Sequence, residues 1–292
     1  MEKIRKNKKV IAVFLIPAVL IYLCFELIPV VMSVYFSFND WPGLQAVPLK
    51  FVGFKNYSNL FHNAVFLKSL QNVLIYVVVS VILQVPIGFG LGLLIHHFKK
   101  GQRFFKAAFF IPMILSVTAV ALLWDFIYFP TDKGILNSLL IKIGLGNYIQ
   151  QWLVNPKTSL ICLIVVSTWT SVGYYMIICL AGLTSIPDSV LEAGELDGAT
   201  GWKKIWNLYI PMLWEPLKMS TIMVITGVLK IFDTVYILTP TGGTSNCTIV
   251  PALLMYNEAY RYGHYGTGSA IATVIFVLSA AVSIFSLKLM NQ

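Results

Sequence analysis

Charge is what this sequence has least of. Only 11% of its 292 residues are Asp, Glu, Lys or Arg, while 58% are apolar. A typical soluble domain carries about 25% charged residues. A water-soluble core of this size has no room for so much apolar surface, whereas a hydrocarbon solvent needs no protein cover over it. Acidic residues are scarcer than basic ones, 12 against 21, for a net charge of +9. The cations sit in short segments between apolar runs, which is the pattern of membrane topology and not of a nucleic-acid surface.

Other absences narrow the class further. The four cysteines, Cys24, Cys162, Cys179 and Cys247, have no metal-ligand spacing, so neither a zinc site nor a disulfide framework is expected. No G-x-x-x-x-G-K-[ST] occurs, so the chain has no phosphate-cradling loop of its own. No cluster of acids, bases or metal ligands converges, which disfavours a membrane-embedded enzyme. The basic start is followed by no A-x-A-like site. The first apolar run is long and contains Glu26 and Pro29, so it reads as an uncleaved span.

What is present is six apolar stretches near the ~20 residues a span needs. They run over residues 10–38, 72–97, 104–129, 158–183, 217–239 and 267–289. They are apolar on all sides, as lipid-solvated helices are, and too long and unalternating for barrel strands. The expected fold is an all-α polytopic membrane protein: a basic tail over 1–9, then one transmembrane domain over 10–289. With the tail inside, thirteen of the 21 Lys and Arg fall in inner segments and seven in outer ones; Lys230 lies within the fifth run. Both termini are therefore expected in the cytoplasm.

The inner connection between the fourth and fifth runs, residues 185–213, is the informative one. It reads as two short helices with a break. Ser185 is a candidate cap for the first, with Pro187 and Asp188 in its first turn. Gly198 suits a reversal at positive φ. Thr200 is a candidate cap for the second helix, and Pro211 limits its continuation. Val190, Leu191, Ala193 and Leu196 can form one apolar face, the mark of an element that docks on a protein.

This segment resembles the EAA loop of binding-protein-dependent ABC importer permeases, whose pattern runs roughly E-A-A-x-x-D-G-A, a spacer, then I-x-L-P. Glu192, Ala193, Gly194, Asp197, Gly198, Ala199, Leu208, Ile210 and Pro211 stand at those places, with Gly194, Leu208 and Ile210 departing from the pattern. Two further segments resemble the sugar-permease branch. One is Phe51-Val-Gly-Phe-Lys-Asn-Tyr57, like F-x-G-x-x-N-Y. The other runs from Phe232 to Thr239 with Gly242-Gly243 after it, like the end of that branch's fifth helix. The likeness covers about residues 10 to 288.

The resemblance implies a bacterial inner (plasma) membrane permease subunit and a set of partners. These are a second, homologous permease, two cytoplasmic ABC ATPase subunits that carry the ATP and magnesium, and an extracellular solute-binding protein. The solute it implies is a carbohydrate, an oligosaccharide first. The loop is then the coupling element to the ATPase, and the chain has neither catalysis nor cofactor of its own. An ion-coupled secondary transporter, using Asp125, Lys230 and Asp233 as coupling charges, is the alternative.

For the solute pathway, helix four offers aromatic faces and hydroxyls at Trp169, Ser171, Tyr174 and Tyr175. Ser171 and Tyr174 lie one turn apart. Gly227 and Val228 on helix five are neighbours implied by the resemblance. Ionisable residues inside spans are costly and face cavities or partners. Lys230 and Asp233, three apart on one helical face, either pair structurally or line the pathway; Asp125 either anchors at the interface beside Trp124 or does the same. Pro86, Gly88, Gly90 and Gly92 read as packing and bending residues of helix two.

Overall fold

The computed structural model describes residues 8–98 and 100–290. The first seven residues of the basic tail, with Lys3, Arg5 and Lys6, lie outside the described residues, as does Lys99. The chain divides into two compact units: one holds the residues up to Asn63 with Met255–Phe276, the other Ala64–Leu254 with the remainder from Val277.

In the first unit a helical path runs from α1 (Lys8–Tyr22) through a π-turn at Leu23–Leu27 into α2 (Ile28–Ser37). The π-turn has a local cause. Pro29 cannot donate to Phe25 and its ring crowds that carbonyl, and one extra residue in the turn just ahead, closed by the Ile28 amide on the Leu23 carbonyl, relieves both. None of the most apolar 18-residue stretch of Val13–Ser37 is buried, which is the surface of a helix solvated by lipid.

A two-stranded antiparallel hairpin follows, β1 (Asn39–Asp40) against β2 (Lys50–Phe51), and then α3 (Lys55–His62). The F-x-G-x-x-N-Y signature explains this corner. Gly53 sits at φ +58°, where a side chain would be strained. Buried Asn56 donates from Nδ2 to the carbonyls of Ser37, at 2.8 Å, and Asn39, at 3.0 Å. The Tyr57 and Ser37 hydroxyls meet at 2.6 Å. The signature ties the end of the first span to the start of the outer segment. α14 (Pro251–Tyr256) and α15 (Tyr265–Met290) close the chain, and α15 contributes to both units.

The second unit is built on α4 (Ala64–His97) and α8 (Ser159–Thr184), which make the most extensive helix pair of the chain. Two glycines let them approach. A Cβ on Gly88 would stand 2.8 Å from the Tyr175 Cβ, and one on Gly92 would stand 3.2 Å from the Cys179 Cβ. Gly90, on the opposite face, meets nothing within 4 Å. The packing role expected of these glycines thus belongs to Gly88 and Gly92. Fully buried Tyr76 adds a polar clasp, donating to the Leu163 carbonyl at 2.8 Å with its hydroxyl 2.7 Å from Ser167 Oγ. Asn72 donates to the carbonyls of Asn246 and Ile249, at 3.0 and 2.8 Å, and so holds the loop before α14.

Among the described residues, four helices are long and apolar enough to cross a membrane, and up to six spans result if each of two bent pairs is one span. The expected boundaries need correction in three places. The second helix starts at Ala64, not residue 72, because the two turns over 64–71, which interleave Lys68, Ser69 and Gln71 with apolar residues, continue the same helix; Lys68 Nζ donates to Gln71 Oε1 at 3.2 Å.

The third expected span is α5 (Gln102–Ile114) and α6 (Val117–Ile127), bent by 98°. Leu115 is extended, and Ser116 caps α6 by accepting from the Ala119 amide at 3.2 Å. The fifth is likewise broken. Helix α12 (Trp214–Leu229) is preceded across a 73° bend by the segment Trp202–Met212, and α13 (Asp233–Leu238) follows it after a break at 230–232.

The backbones of α5 and α8 touch at Gly173, where a Cβ would lie 1.9 Å from the Phe109 carbonyl oxygen. Gly173→Ala should therefore lower the melting temperature and folded yield of the detergent-solubilised protein, by the ~1–3 kcal/mol typical of an overpacked core or more. Gly90→Ala, in open space on a helix, should hold or raise it. Equal effects of the two substitutions would contradict this packing.

Candidate functional site: the hairpin after α8 and the helices packed on it

The segment after α8 forms two helices, as the sequence reading expected, with different caps. α9 (Asp188–Leu196) starts after Pro187, which holds the extended N-cap conformation without any side-chain cap. Ser185 instead closes α8, its Oγ donating to the Gly182 carbonyl at 2.7 Å. Thr200 does not cap the second helix either: Gly201, at φ +54°, is the residue before α10 (Trp202–Lys204). A π-turn at Ile205–Tyr209 then leads into α11 (Ile210–Met212). Pro211 produces that π-turn as Pro29 produces the first, and helix α11 ends one residue after it.

Gly198 has the role expected of it. At φ +81° it is the left-handed residue past the end of α9. Its amide donates to the Glu195 carbonyl at 3.1 Å, and the Ala199 amide to the Gly194 carbonyl at 2.8 Å. These two bonds form a Schellman motif, which satisfies the last carbonyls of the helix. Across the turn, Lys204 Nζ bonds Glu195 Oε1 at 2.6 Å and lies 5.6 Å from the centre of the Tyr209 ring.

Two departures from the family pattern meet in one contact. A Cβ on Gly194 would stand 3.2 Å from Leu208 Cδ2. Glycine at 194 makes room for leucine at 208, so the two changes compensate where α9 lies on the second helical segment.

The apolar face of α9 divides in two. Val190 and Leu191 pack on the buried cluster of Cys179, Leu183, Ile186 and Leu213. Ala193 is exposed and Leu196 is 90% exposed. Glu192, Asp197 and Pro211 are also exposed, and Ala199 and Ile210 are half-buried. One side of the hairpin is thus fixed to α8 and to the bend at Leu213, while the other leaves apolar and acidic groups exposed.

Above the hairpin, Tyr174 and Ser171 are half-buried on α8. The Tyr174 hydroxyl donates to Met223 Sδ on α12 at 3.9 Å. Trp169 is 37% exposed and stands edge-on to Trp124 of α6, ring centres 5.8 Å apart. Gly227 is open on α12 with nothing within 4 Å of an added Cβ. Asp125 is exposed on α6, and α13, which begins with Asp233, packs against that helix.

Three expected placements differ. Tyr175 is buried against Gly88, so it packs α8 on α4 and is not part of an open face. Val228 is buried, turned away from the exposed side of Gly227. Lys230 and Asp233 do not share one helical face. Lys230 ends α12, Asp233 begins α13, both are exposed, and no ion pair joins them.

The sequence reading also passed over Ser80 and Gln84 on α4 and Thr168 on α8. Each is buried and its side chain has an unbonded polar atom. Isolated polar residues inside apolar runs were the available signal for them.

A family model described as "Binding-protein-dependent transport system inner membrane component" matches residues 84–292. The chain is 36% identical over 288 residues to the probable ABC transporter permease protein YurN of Bacillus subtilis, covering 98% of this chain and 97% of that one. It is 30% identical over 279 residues to the multiple sugar-binding transport system permease protein MsmF of Streptococcus mutans, covering 96% and 94%. Its fold matches a chain in the crystal structure of a bacterial alginate ABC transporter in complex with an alginate pentasaccharide-bound periplasmic protein. The TM-score is 0.83 at 21% identity, over 98% of this chain and 94% of the other.

Because nothing stands within 4 Å of an added Cβ at Gly198, the cost of substitution there is conformational and local, about 1–2 kcal/mol for a left-handed residue. Gly198→Val should speed amide hydrogen exchange over residues 188–204 and leave the α4–α8 pair as protected as before. Unchanged exchange in the hairpin would contradict the Schellman assignment.

Proposed function

Since the chain belongs to the binding-protein-dependent transport system inner membrane component family, we propose that it forms half of the translocation pathway of an ATP-driven carbohydrate importer, with an oligosaccharide as the first solute class. MsmF, a sugar-transport permease, and the alginate transporter support the solute class by likeness. On this reading the bent pair α5–α6 is one span, and the fifth span runs from α12 through α13. The chain crosses a bacterial inner membrane six times over residues 10–289, and both termini lie in the cytoplasm.

The hairpin 185–213 couples this subunit to a cytoplasmic ATPase. The observation that carries the reading is the division of α9. Val190 and Leu191 are clamped to Leu213 and α8, while Leu196, 90% exposed, has no cover among the described residues. An exposed leucine beside the open carboxylates of Glu192 and Asp197 suits a cleft on a protein partner. Glu192, Ala193, Gly194, Asp197, Gly198 and Ala199 form the docking turn, and Ile210 and Pro211 carry the load into α12.

ATP and magnesium reside on the partner ATPases. Their binding and hydrolysis move this subunit against a second, homologous permease, and an extracellular solute-binding protein delivers the sugar to the outer mouth. The chain itself carries out no chemistry.

Within the membrane, the pathway is lined where helices break. Irregular backbone at membrane depth is tolerated when it faces a water-filled cavity. The break at 230–232 leaves Lys230 and Asp233 exposed, and Asp125 is exposed on the helix that packs on α13. With Trp169, Ser171, Tyr174 and Gly227, they provide charges, hydroxyls and aromatic surface of the kind a sugar needs.

Leu196→Asp should abolish co-purification of the ATPase subunits and solute-stimulated ATP hydrolysis, while membrane insertion and assembly with the second permease persist. Retention of the ATPase by that variant would refute the docking role. Transport by this chain in liposomes without any ATPase, driven by an ion gradient, would favour the secondary-transporter alternative.

A further inference from the structure

A cavity of about 270 Å3 lies wholly within the first unit. One wall is α2, with Ser33 and Phe36. The other is the π-turn at Asn257–Arg261 with the start of α15, which bring Tyr260, Tyr265 and Ser269. Neither the docking hairpin nor the proposed pathway uses any of these residues. The volume lies just below the ~300–1,000 Å3 of drug-sized ligand pockets, which is room for one small ring and not for an extended chain.

The aromatic side of the cavity is held in place. The Tyr265 ring stands edge-on to Phe36, Trp41 and Tyr260, with ring centres 6.2, 5.4 and 5.8 Å away. Gly43, at φ +84°, lies against the same ring, and a Cβ there would stand 2.9 Å from Tyr265 Cδ2. The Gly266 amide donates to the Trp41 carbonyl at 3.1 Å and so ties the start of α15 to the loop between β1 and β2. Gly268 lets the π-turn close on α15; a Cβ there would stand 2.7 Å from the Ala259 Cβ. Tyr265 is thus positioned in advance, while Tyr260 at the rim is 64% exposed.

The cavity also offers polar groups. Ser33 and Ser269 both line it, Ser269 is 6% exposed, and neither hydroxyl has a hydrogen-bond partner among the described residues. A buried hydroxyl without a partner is costly. An acyl chain or an apolar helix face would leave that cost in place. A sugar ring removes it, because it sets an apolar face against aromatic rings and carries hydroxyls at its edge. We propose that this cavity is a second carbohydrate site, which holds one sugar ring of the solute against Tyr260 and Tyr265 with hydrogen bonds to Ser33 and Ser269. The assignment rests on the carbohydrate-importer reading and on its orientation, in which α2 ends and α15 begins at the outer face. It adds a place outside the proposed pathway where the sugar first lodges.

Ala272→Cys puts a thiol on the cavity wall and leaves these side chains in place. In a chain otherwise freed of its cysteines, assembled with its partners in right-side-out vesicles, a charged methanethiosulfonate added outside should label it. Maltotriose, cellotriose and arabinotriose are each added without nucleotide or binding protein, so that only direct occupancy protects the thiol. The trisaccharide that most stimulates ATP hydrolysis by the complete importer should slow the labelling. Ser269→Ala should raise the concentration for half-protection about fivefold, the effect of one hydrogen bond, and Tyr260→Ala should raise it at least as far.

Stimulation of ATP hydrolysis by one of these saccharides, with no protection of the thiol, would overturn this site and leave the carbohydrate reading standing. Neither stimulation nor protection by any of them would overturn the site together with the reading it rests on. Protection that survives Ser269→Ala unchanged would mark an occupant that ignores the hydroxyls. A thiol that no outside reagent reaches would mean that lipid or the second permease fills the cavity. Either result contradicts the proposal.

Discussion

The structure turns on the burial of Leu213. This residue sits at the 73° bend between the Trp202–Met212 segment and α12, wholly buried among Cys179 and Leu183 of α8 and Ile186. Val190 and Leu191 of α9 pack on the same cluster. The hairpin is thereby fixed to α8 and α12 at once. Close-packed interiors transmit displacement because they compress little. On the proposed coupling role the hairpin acts as a lever on α8 and α12, and those two helices carry Trp169, Ser171, Tyr174 and Gly227.

The rest of the second unit keeps that lever stiff. Glycines at 88, 92 and 173 remove the side chains that would hold α4, α5 and α8 apart. In lipid, helices gain nothing from hiding apolar surface, so close backbone approach and internal hydrogen bonds must supply the cohesion. Tyr76 and Asn72 supply such bonds. In the first unit Asn56 does the same work at the turn out of the membrane. The polar residues inside the spans are thus mostly structural, while the exposed charges cluster at breaks.

Much of this was legible in the sequence, and the misses have physical reasons. The spans show as apolar runs because lipid demands them, and Gly198 was readable because a reversal after a helix needs positive φ. The break at Leu115–Ser116 was not read, since apolar residues flank it and only a serine cap and Pro112 mark it. Helix α4 outruns its apolar stretch because a helix continues into water wherever its backbone bonds are satisfied, which hydropathy does not report. Tyr175 is placed on the pathway by its own aromatic face and Val228 by the family resemblance. Which face a residue presents depends on the partner helix, and for Tyr175 that partner is Gly88, 87 positions away. The family likeness located the segment that resembles the EAA loop, but the pairing of Gly194 with Leu208 required coordinates.

Spin labels on α9 at Glu192 and on α12 at Met219, in a chain freed of its native cysteines and assembled with its partners, test the lever most directly. Pulsed-dipolar distances between them, recorded with and without ATP, should keep one unchanged narrow distribution while α9 moves relative to the second permease. A distribution that shifts or broadens with nucleotide would mean that the hairpin moves independently of the membrane helices, and would contradict the account.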